Sequence, residues 1–156
     1  MPSSSDATAP RALLARYYRA MLDKNADDLA ALYATDGVHE FPLLSPFFPR
    51  RLHGREEIRA HYRAAWGAAP MRLLDIREVA IHETRDPLLI VAEAEYTALA
   101  TTSGKSFDLS FLIVMKVEGD LIVHLRDYMD ALGAAFALDR LPNMTKALES
   151  RRSSTP

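Results

Sequence analysis

The chain contains no cysteine. Disulfides, thiolate metal sites and cysteine nucleophiles are therefore excluded, and a reducing compartment, the cytoplasm, is the expected location. No apolar run approaches the roughly 20 residues needed to span a bilayer, so no membrane partner is expected. The first ten residues are polar and lack the apolar stretch of a secretory signal. A strong charge of either sign is also missing: the formal net charge is −2, and the basic residues are scattered. That pattern offers no electrostatic footprint for nucleic acid. The five histidines show no ligand spacing with one another, so no metal is expected. His39 and Glu40, as strand neighbours, cannot both face one ion.

What is present suits one domain. The 156 residues are 49% apolar, enough for a sizeable core. Residues 1–9 are rich in Ser, Ala, Thr and Pro and read as disordered. From Pro10 to Lys24, Leu13, Leu14, Tyr17, Tyr18, Met21 and Leu22 form one helical stripe. A short second helix follows over 27–33, then an Asp36-Gly37 turn and a short strand from Val38 to Phe41. Residues 43–53 are apolar but broken by proline, so they read as a loop. Leu43, Leu44, Phe47 and Phe48 must then be buried under that loop, as a pocket lid or against another subunit. A third helix, Arg55 to Trp66, places Ile58, His61, Tyr62 and Ala65 on one face.

The remainder reads as strands: 71–83, 88–100, 106–117 and 121–129, joined by turns at Thr102–Lys105 and Glu118-Gly119-Asp120. Helices followed by hairpin-linked strands define an α+β domain over residues 10–140. The expected shape is a cone: a strongly bent antiparallel sheet with three or four helices packed on its concave side. Ala92, Ala94 and Ala98 share the inner face of one strand. They leave room for a ligand pocket or simply accept the packed helices. A short helix is expected over 129–138, and residues 141–156 read as a frayed, flexible tail.

Asp127 stands out. Read with a period of two, Leu121, Val123, Leu125, Asp127 and Met129 share the more apolar face of their strand. A carboxylate facing a dry interior is costly unless it is paired or takes up a proton. Desolvation raises its pKa toward neutrality, where a general acid or base works best. The other reading is that the strand ends there and Asp127 caps the next helix.

Three segments carry a resemblance to a known family: Asp36-Gly37-Val38-His39-Glu40-Phe41-Pro42, Leu52-His53-Gly54-Arg55-Glu56-Glu57-Ile58-Arg59-Ala60-His61-Tyr62, and Gly119 to Ile122 with Arg126-Asp127-Tyr128-Met129-Asp130. Over residues 10–140 the chain resembles the SnoaL-like branch of the nuclear transport factor 2-like superfamily. The resemblance implies the cone fold and a homodimer through the outer sheet face, where His124, Arg126 and Tyr128 point. Polyketide cyclases of that branch have an acidic residue where Asp127 stands. The related phenazine-biosynthesis condensation proteins have a pocket histidine where His61 stands. The general base of ketosteroid isomerases falls at Phe41, so that chemistry with its usual base is not expected. The adjacency of Arg126 and Asp127 likewise only partly meets the limonene epoxide hydrolase pattern.

The combined expectation is a cofactor-independent acid–base enzyme acting on a small apolar or aromatic carbonyl compound, by isomerisation, cyclisation, condensation or dehydration, in secondary metabolism. Asp127 and His61 are the catalytic candidates. Tyr17, Phe41, Phe47, Trp66, Tyr96, Phe111 and Met115 are the candidate pocket walls. A non-catalytic binding or association module of the same fold is the alternative.

Overall fold

The computed structural model describes residues 9–153. In chain order the elements are α1 (Ala9–Leu22), α2 (Ala26–Ala31), β1 (Tyr33–Glu40), β2 (Arg51–His53), α3 (Arg55–Ala68), β3 (Met71–Glu83), β4 (Leu89–Ala100), β5 (Ser106–Glu118), β6 (Leu121–Met129), α4 (Ala131–Ala137) and α5 (Leu141–Ser153). The expectation of disorder over 1–9 falls, Ala9 apart, outside the described residues.

Local chemistry explains the helix starts. The Asn25 side chain accepts hydrogen bonds from the backbone N–H groups of Asp27 and Asp28, capping α2. Gly54 opens α3 with φ 85°, a left-handed conformation that favours glycine. Glu57, in the first turn, accepts from the His53 N–H at 2.9 Å and so ties the end of the Arg51–His53 strand to the helix. No helix among the described residues is long and apolar enough to cross a membrane.

The six strands form one sheet in the order β2-β1-β6-β5-β4-β3. The expected all-antiparallel arrangement holds for four of the neighbouring pairs, but β1 runs parallel to β6. The chain between β1 and β6 is long enough to return through β2, α3 and three strands, so no tight hairpin forces antiparallel pairing there. Five helices are described rather than three or four. Asp36-Gly37 is not a turn either: both residues lie within β1, at the irregular register between Tyr33 and Val38. A Cβ on Gly37 would stand 3.0 Å from the carbonyl oxygens of Ala34 and Ile122, so the glycine permits this close approach of β1 to β6. The end of the apolar loop, Arg51–His53, pairs with β1 as β2.

Residues 141–153 are not a loose tail. They form α5, with Met144 buried. Its sparse apolar content hides it from a periodicity search. Arg151 donates to the carbonyl oxygens of Ser45 and Pro46, tying α5 to the 43–50 loop.

Burial alternates along β4 and β5, so Ile90, Ala92, Ala94, Tyr96 and Ala98, with Leu109, Phe111, Ile113, Met115 and Val117, face the helices. Alternation in β6 breaks at Val123, where the pairing with β5 skips a residue. That bulge puts Ile122 inside, and Leu125 and Asp127 restore the inward phase. The expected set Leu121, Val123, Leu125 was thus right only beyond the bulge. Ala92, Ala94 and Ala98 are fully buried beneath the helical layer, with α1 packed on the flanking β3 and β5. They accept helices rather than line the main cavity.

Candidate functional site: a buried acid beneath an apolar mouth

Asp127 lies opposite Ile113 in the β5–β6 ladder and points into the core, only 8% exposed. It does not cap the next helix. Asp130 does that, accepting from the Gly133 N–H at 2.7 Å. Among the described residues no lysine or arginine pairs with Asp127. Among the described residues the one basic side chain within 4 Å of it is His39, whose Nε2 is 3.9 Å from Oδ2. Its Oδ1 is buried without a hydrogen-bond partner. Burial with no compensating cation pushes this carboxyl up to about 7. At neutral pH it therefore holds and releases a proton with comparable ease.

His39, on β1, pairs in register with Leu125 of β6 and Leu52 of β2. It is fully buried. Nδ1 is 2.7 Å from the Tyr33 hydroxyl and Nε2 is 3.1 Å from the Tyr62 hydroxyl. Phe41 packs on the ring at 4.6 Å between centroids. Burial first, then the positions of His61 and His124, drive the imidazole down to about 3, so it stays neutral in ordinary buffers. A neutral imidazole has one N–H and one acceptor nitrogen. One tyrosine must therefore donate to His39 and the other accept.

Tyr17 reaches the same cluster from α1. It is fully buried, and its hydroxyl sits beside that of Tyr62 without a well-formed hydrogen bond. Burial pushes Tyr17, Tyr33 and Tyr62 well above the ordinary tyrosine value, and the Asp127 charge adds to the effect in each. All three remain protonated donors. Arg55, at the start of α3, donates to the Tyr33 carbonyl and fixes β1 against that helix.

His61 stands beside Tyr62 on α3, half-buried. Its ring packs against Phe48 at 5.4 Å and Phe41 at 5.7 Å. Burial lowers its pKa, against an opposing pull from Glu57, and Nε2 has no hydrogen-bond partner.

Beyond this floor lies an apolar cavity of about 260 Å³. The 43–50 loop, the end of α3 and helix α4 close around it, through residues including Phe47, Phe48, Met129, Ala134 and Arg140, with Tyr96 on the sheet side. Met129 follows Asp127 by one strand period. The Asp127 charge also raises the pKa of Tyr96, after burial. Tyr96 and Met129 are thus where mouth and floor meet. Arg140 is the one charged side chain in the lining.

The residues expected to line a pocket therefore divide. Phe47 and Tyr96 line the cavity. Tyr17 belongs to the polar floor. Phe41 packs between His39, Phe48 and His61. Phe111 contacts Tyr96 and Tyr18 in the core, and Met115 is fully buried there. Trp66 packs on Tyr62 at 4.8 Å and borders an outer depression beside Asp27 and Arg63. His39, Tyr33 and Tyr62 are the residues that sequence reasoning missed as a unit. The signal was available: His39 and Phe41 are two apart, so a strand that buries Phe41 also buries His39. Among the described residues no three His, Asp or Glu side chains converge to hold a metal ion.

The six-stranded, mixed and curled sheet with its helices has the cone fold of nuclear transport factor 2-like domains. The sequence model of the SnoaL-like domain family matches residues 14–125, and the chain belongs to that family. It is 28% identical over 137 residues to an uncharacterised PhzA/B-like protein of Pseudomonas aeruginosa, covering 88% of this chain and 95% of that protein. Among solved structures it is similar to a candidate isomerase from Bacillus subtilis, with TM-score 0.78, 20% identity, and 86% and 96% of the two chains covered. A phenazine biosynthesis-related protein of Pseudomonas aeruginosa matches with TM-score 0.70, 16% identity, and 90% and 86% coverage. A candidate polyketide cyclase from Xanthomonas campestris pv. campestris matches with TM-score 0.64, 18% identity, and 82% and 95% coverage. At these identities the structures support the shared fold.

Proposed function

We propose that the protein is a cofactor-independent acid–base enzyme acting on a small apolar or aromatic carbonyl compound, with Asp127 moving a proton at the carbon next to the carbonyl. The observation that carries this reading is the Asp127 carboxyl itself: buried, without a cation, with Oδ1 unpartnered, and titrating near neutrality. A group kept in that state costs stability, which a site retains for chemistry more readily than for packing. The Tyr17 hydroxyl and the Nε2 of His61 are buried polar groups without partners, and either can donate to an oxygen that gains charge as the proton leaves. Phe47 and Phe48 keep water from the apolar mouth, which strengthens such donors. Arg140 at the rim favours a substrate that also carries an acidic group. Isomerisation, cyclisation, condensation and dehydration of a carbonyl compound can each start from this proton transfer.

The test is deuterium uptake at the carbon beside the carbonyl of 2-tetralone in D2O, followed by proton NMR. The expected result is acceleration over buffer by the wild type and a loss of about 10²–10⁴-fold in Asp127→Asn, the range for one positioned acid or base. Equal rates for the two proteins would sink the reading.

A second reading, a non-catalytic binding module, is favoured by one observation: neither Asp127 nor His61 is among the residues lining the cavity. On that reading Asp127→Asn binds apolar ligands unchanged and gains stability. A homodimer belongs to the first reading. Half-buried Leu112, Val114 and Tyr128 on the outer sheet face support it, and sedimentation equilibrium is its direct check.

A further inference from the structure

The polar floor contains a histidine that the proton-transfer reading does not yet use. His39 makes two hydrogen bonds, both to hydroxyls, and each hydroxyl can donate or accept. The geometry therefore fits two arrangements equally well. In one, the Tyr33 O–H donates to Nδ1, and Nε2–H points to the Tyr62 oxygen and toward Asp127 Oδ2 3.9 Å away. In the other, Nδ1–H donates to the Tyr33 oxygen and the Tyr62 O–H donates to Nε2. His39 carries one ring proton in both, and each tyrosine keeps one hydroxyl proton, so the two have the same net charge and differ in which ring nitrogen holds the proton; passing from the first to the second gives the Nε2 proton up to solvent and takes one up at Nδ1.

Asp127 decides between them. An ionised carboxylate attracts Nε2–H and repels the bare Nε2 lone pair. It also attracts the Tyr62 O–H, which is free to turn once Tyr62 accepts from Nε2. A protonated carboxyl removes that bias. We propose that His39 is a positioning residue whose ring tautomer follows the ionisation of Asp127: Nε2–H when the carboxylate is charged, Nδ1–H when it is protonated. The inference rests on the reading that Asp127 gains and loses a proton in the folded protein.

The surroundings favour a tautomer change over ring protonation. The groups facing His39 are Tyr33 and Phe41 from β1, Asp127 from β6, and His61 and Tyr62 from α3, while His124 of β6 acts on it from the other face of the sheet. Burial is the first obstacle to an imidazolium, His61 and His124 add to it, and Arg55 beside Tyr33 supplies no anion. His39 can thus reorient a dipole toward the acid without bringing a second buried charge into the site. A phenylalanine could fill the same volume but could not do this. The consequence is that both protonation states of Asp127 remain tolerable, which a reversible proton carrier needs.

The test is NMR on the wild type, which needs no variant to fold. Long-range ¹H–¹⁵N spectra report the His39 tautomer, and the ¹³Cγ shift of Asp127 reports its ionisation, between pH 5 and pH 9. The expected result is a neutral His39 throughout, with the dominant tautomer reversing at the midpoint of the Asp127 titration. In Asp127→Asn, His39 should keep one tautomer at every pH. A ring that becomes imidazolium in this range, or one that keeps its tautomer while Asp127 titrates, overturns the inference but leaves Asp127 as a proton carrier. If the Asp127 carboxyl stays ionised down to pH 5, both the inference and the proton-transfer reading fail together.

Discussion

The floor and the mouth of the cone are built on opposite terms. At the floor, Asp127, His39, Tyr17, Tyr33 and Tyr62 come from β6, β1, α1 and α3, and each is almost completely buried. Their positions are fixed by the parallel β1–β6 ladder and by hydrogen bonds of 2.7 and 3.1 Å. At the mouth, Phe47 is about half exposed, while Leu43, Leu44, Leu132 and Phe136 lie mostly in solvent around it. The mouth is made by a proline-broken loop and a seven-residue helix, held by contacts such as Arg151 to Ser45 and Pro46. Regular structure thus holds the group that must titrate, and irregular structure holds the apolar surface that must admit a ligand. On the proposed reading the floor does the chemistry and the mouth selects the ligand.

The largest effect separates the two on activity. Asp127→Asn should cost about 10²–10⁴-fold in proton exchange while leaving binding of a neutral aromatic ligand within a few-fold. Titration calorimetry beside the exchange assay checks both halves.

Next is a stability effect confined to the floor. Burial raises Asp127 above its unfolded value, so its contribution is fully present below about pH 4 and is lost as pH rises to about 7. His39 is lowered, so its contribution is present above about pH 6.5 and is lost as pH falls toward about 3. Between roughly pH 4 and 6.5 the two slopes oppose each other, and the wild type should show a flat profile from this pair. Asp127→Asn should unmask the His39 slope. Its stability relative to wild type should improve by roughly 2–3 kcal/mol between pH 5 and pH 8. Urea denaturation at the two pH values measures this, and an unchanged difference would mean that the carboxyl ionises freely.

Smaller again is Tyr62→Phe, which removes the hydroxyl from His39 Nε2. A loss of about 1–2 kcal/mol is expected, as for a buried hydrogen bond whose partner is left unsatisfied. The smallest stability effect belongs to the mouth. Phe47→Ser should change stability by no more than about 1 kcal/mol, because the ring is about half exposed, yet weaken apolar ligands several-fold. Arg140→Gln should weaken 2-naphthoate a few-fold and leave 2-naphthamide unaffected, since an ion pair at an exposed rim is a weak one. Equal effects on both ligands would remove Arg140 from selection.

Much of this was legible in the residues. The long strands over 88–100 and 106–117 announce themselves by alternation, and the inward phase of Asp127 follows from the same period. The parallel β1–β6 pairing was not legible, because it joins segments more than 80 residues apart with no turn between them to fix their direction. That pairing is what brings His39 to Asp127, so the histidine that meets the acid could not be chosen from spacing alone. His61 stands out because it matches the pocket histidine of the related phenazine-biosynthesis condensation proteins. His39, within a strand read as Val38 to Phe41, offers no metal-ligand spacing and no partner that its sequence neighbours could name. The α5 helix stayed hidden because its single buried residue, Met144, leaves no stripe.

The account stands on the ionisation of one carboxyl. Its most direct measurement is the infrared difference between wild type and Asp127→Asn through a pH titration, which isolates the Asp127 C=O stretch. A protonated carboxyl band that disappears with a midpoint near 7 is the predicted result. A band already lost below pH 5 would mean an ordinary carboxylate, and would contradict the assignment of chemistry to the floor.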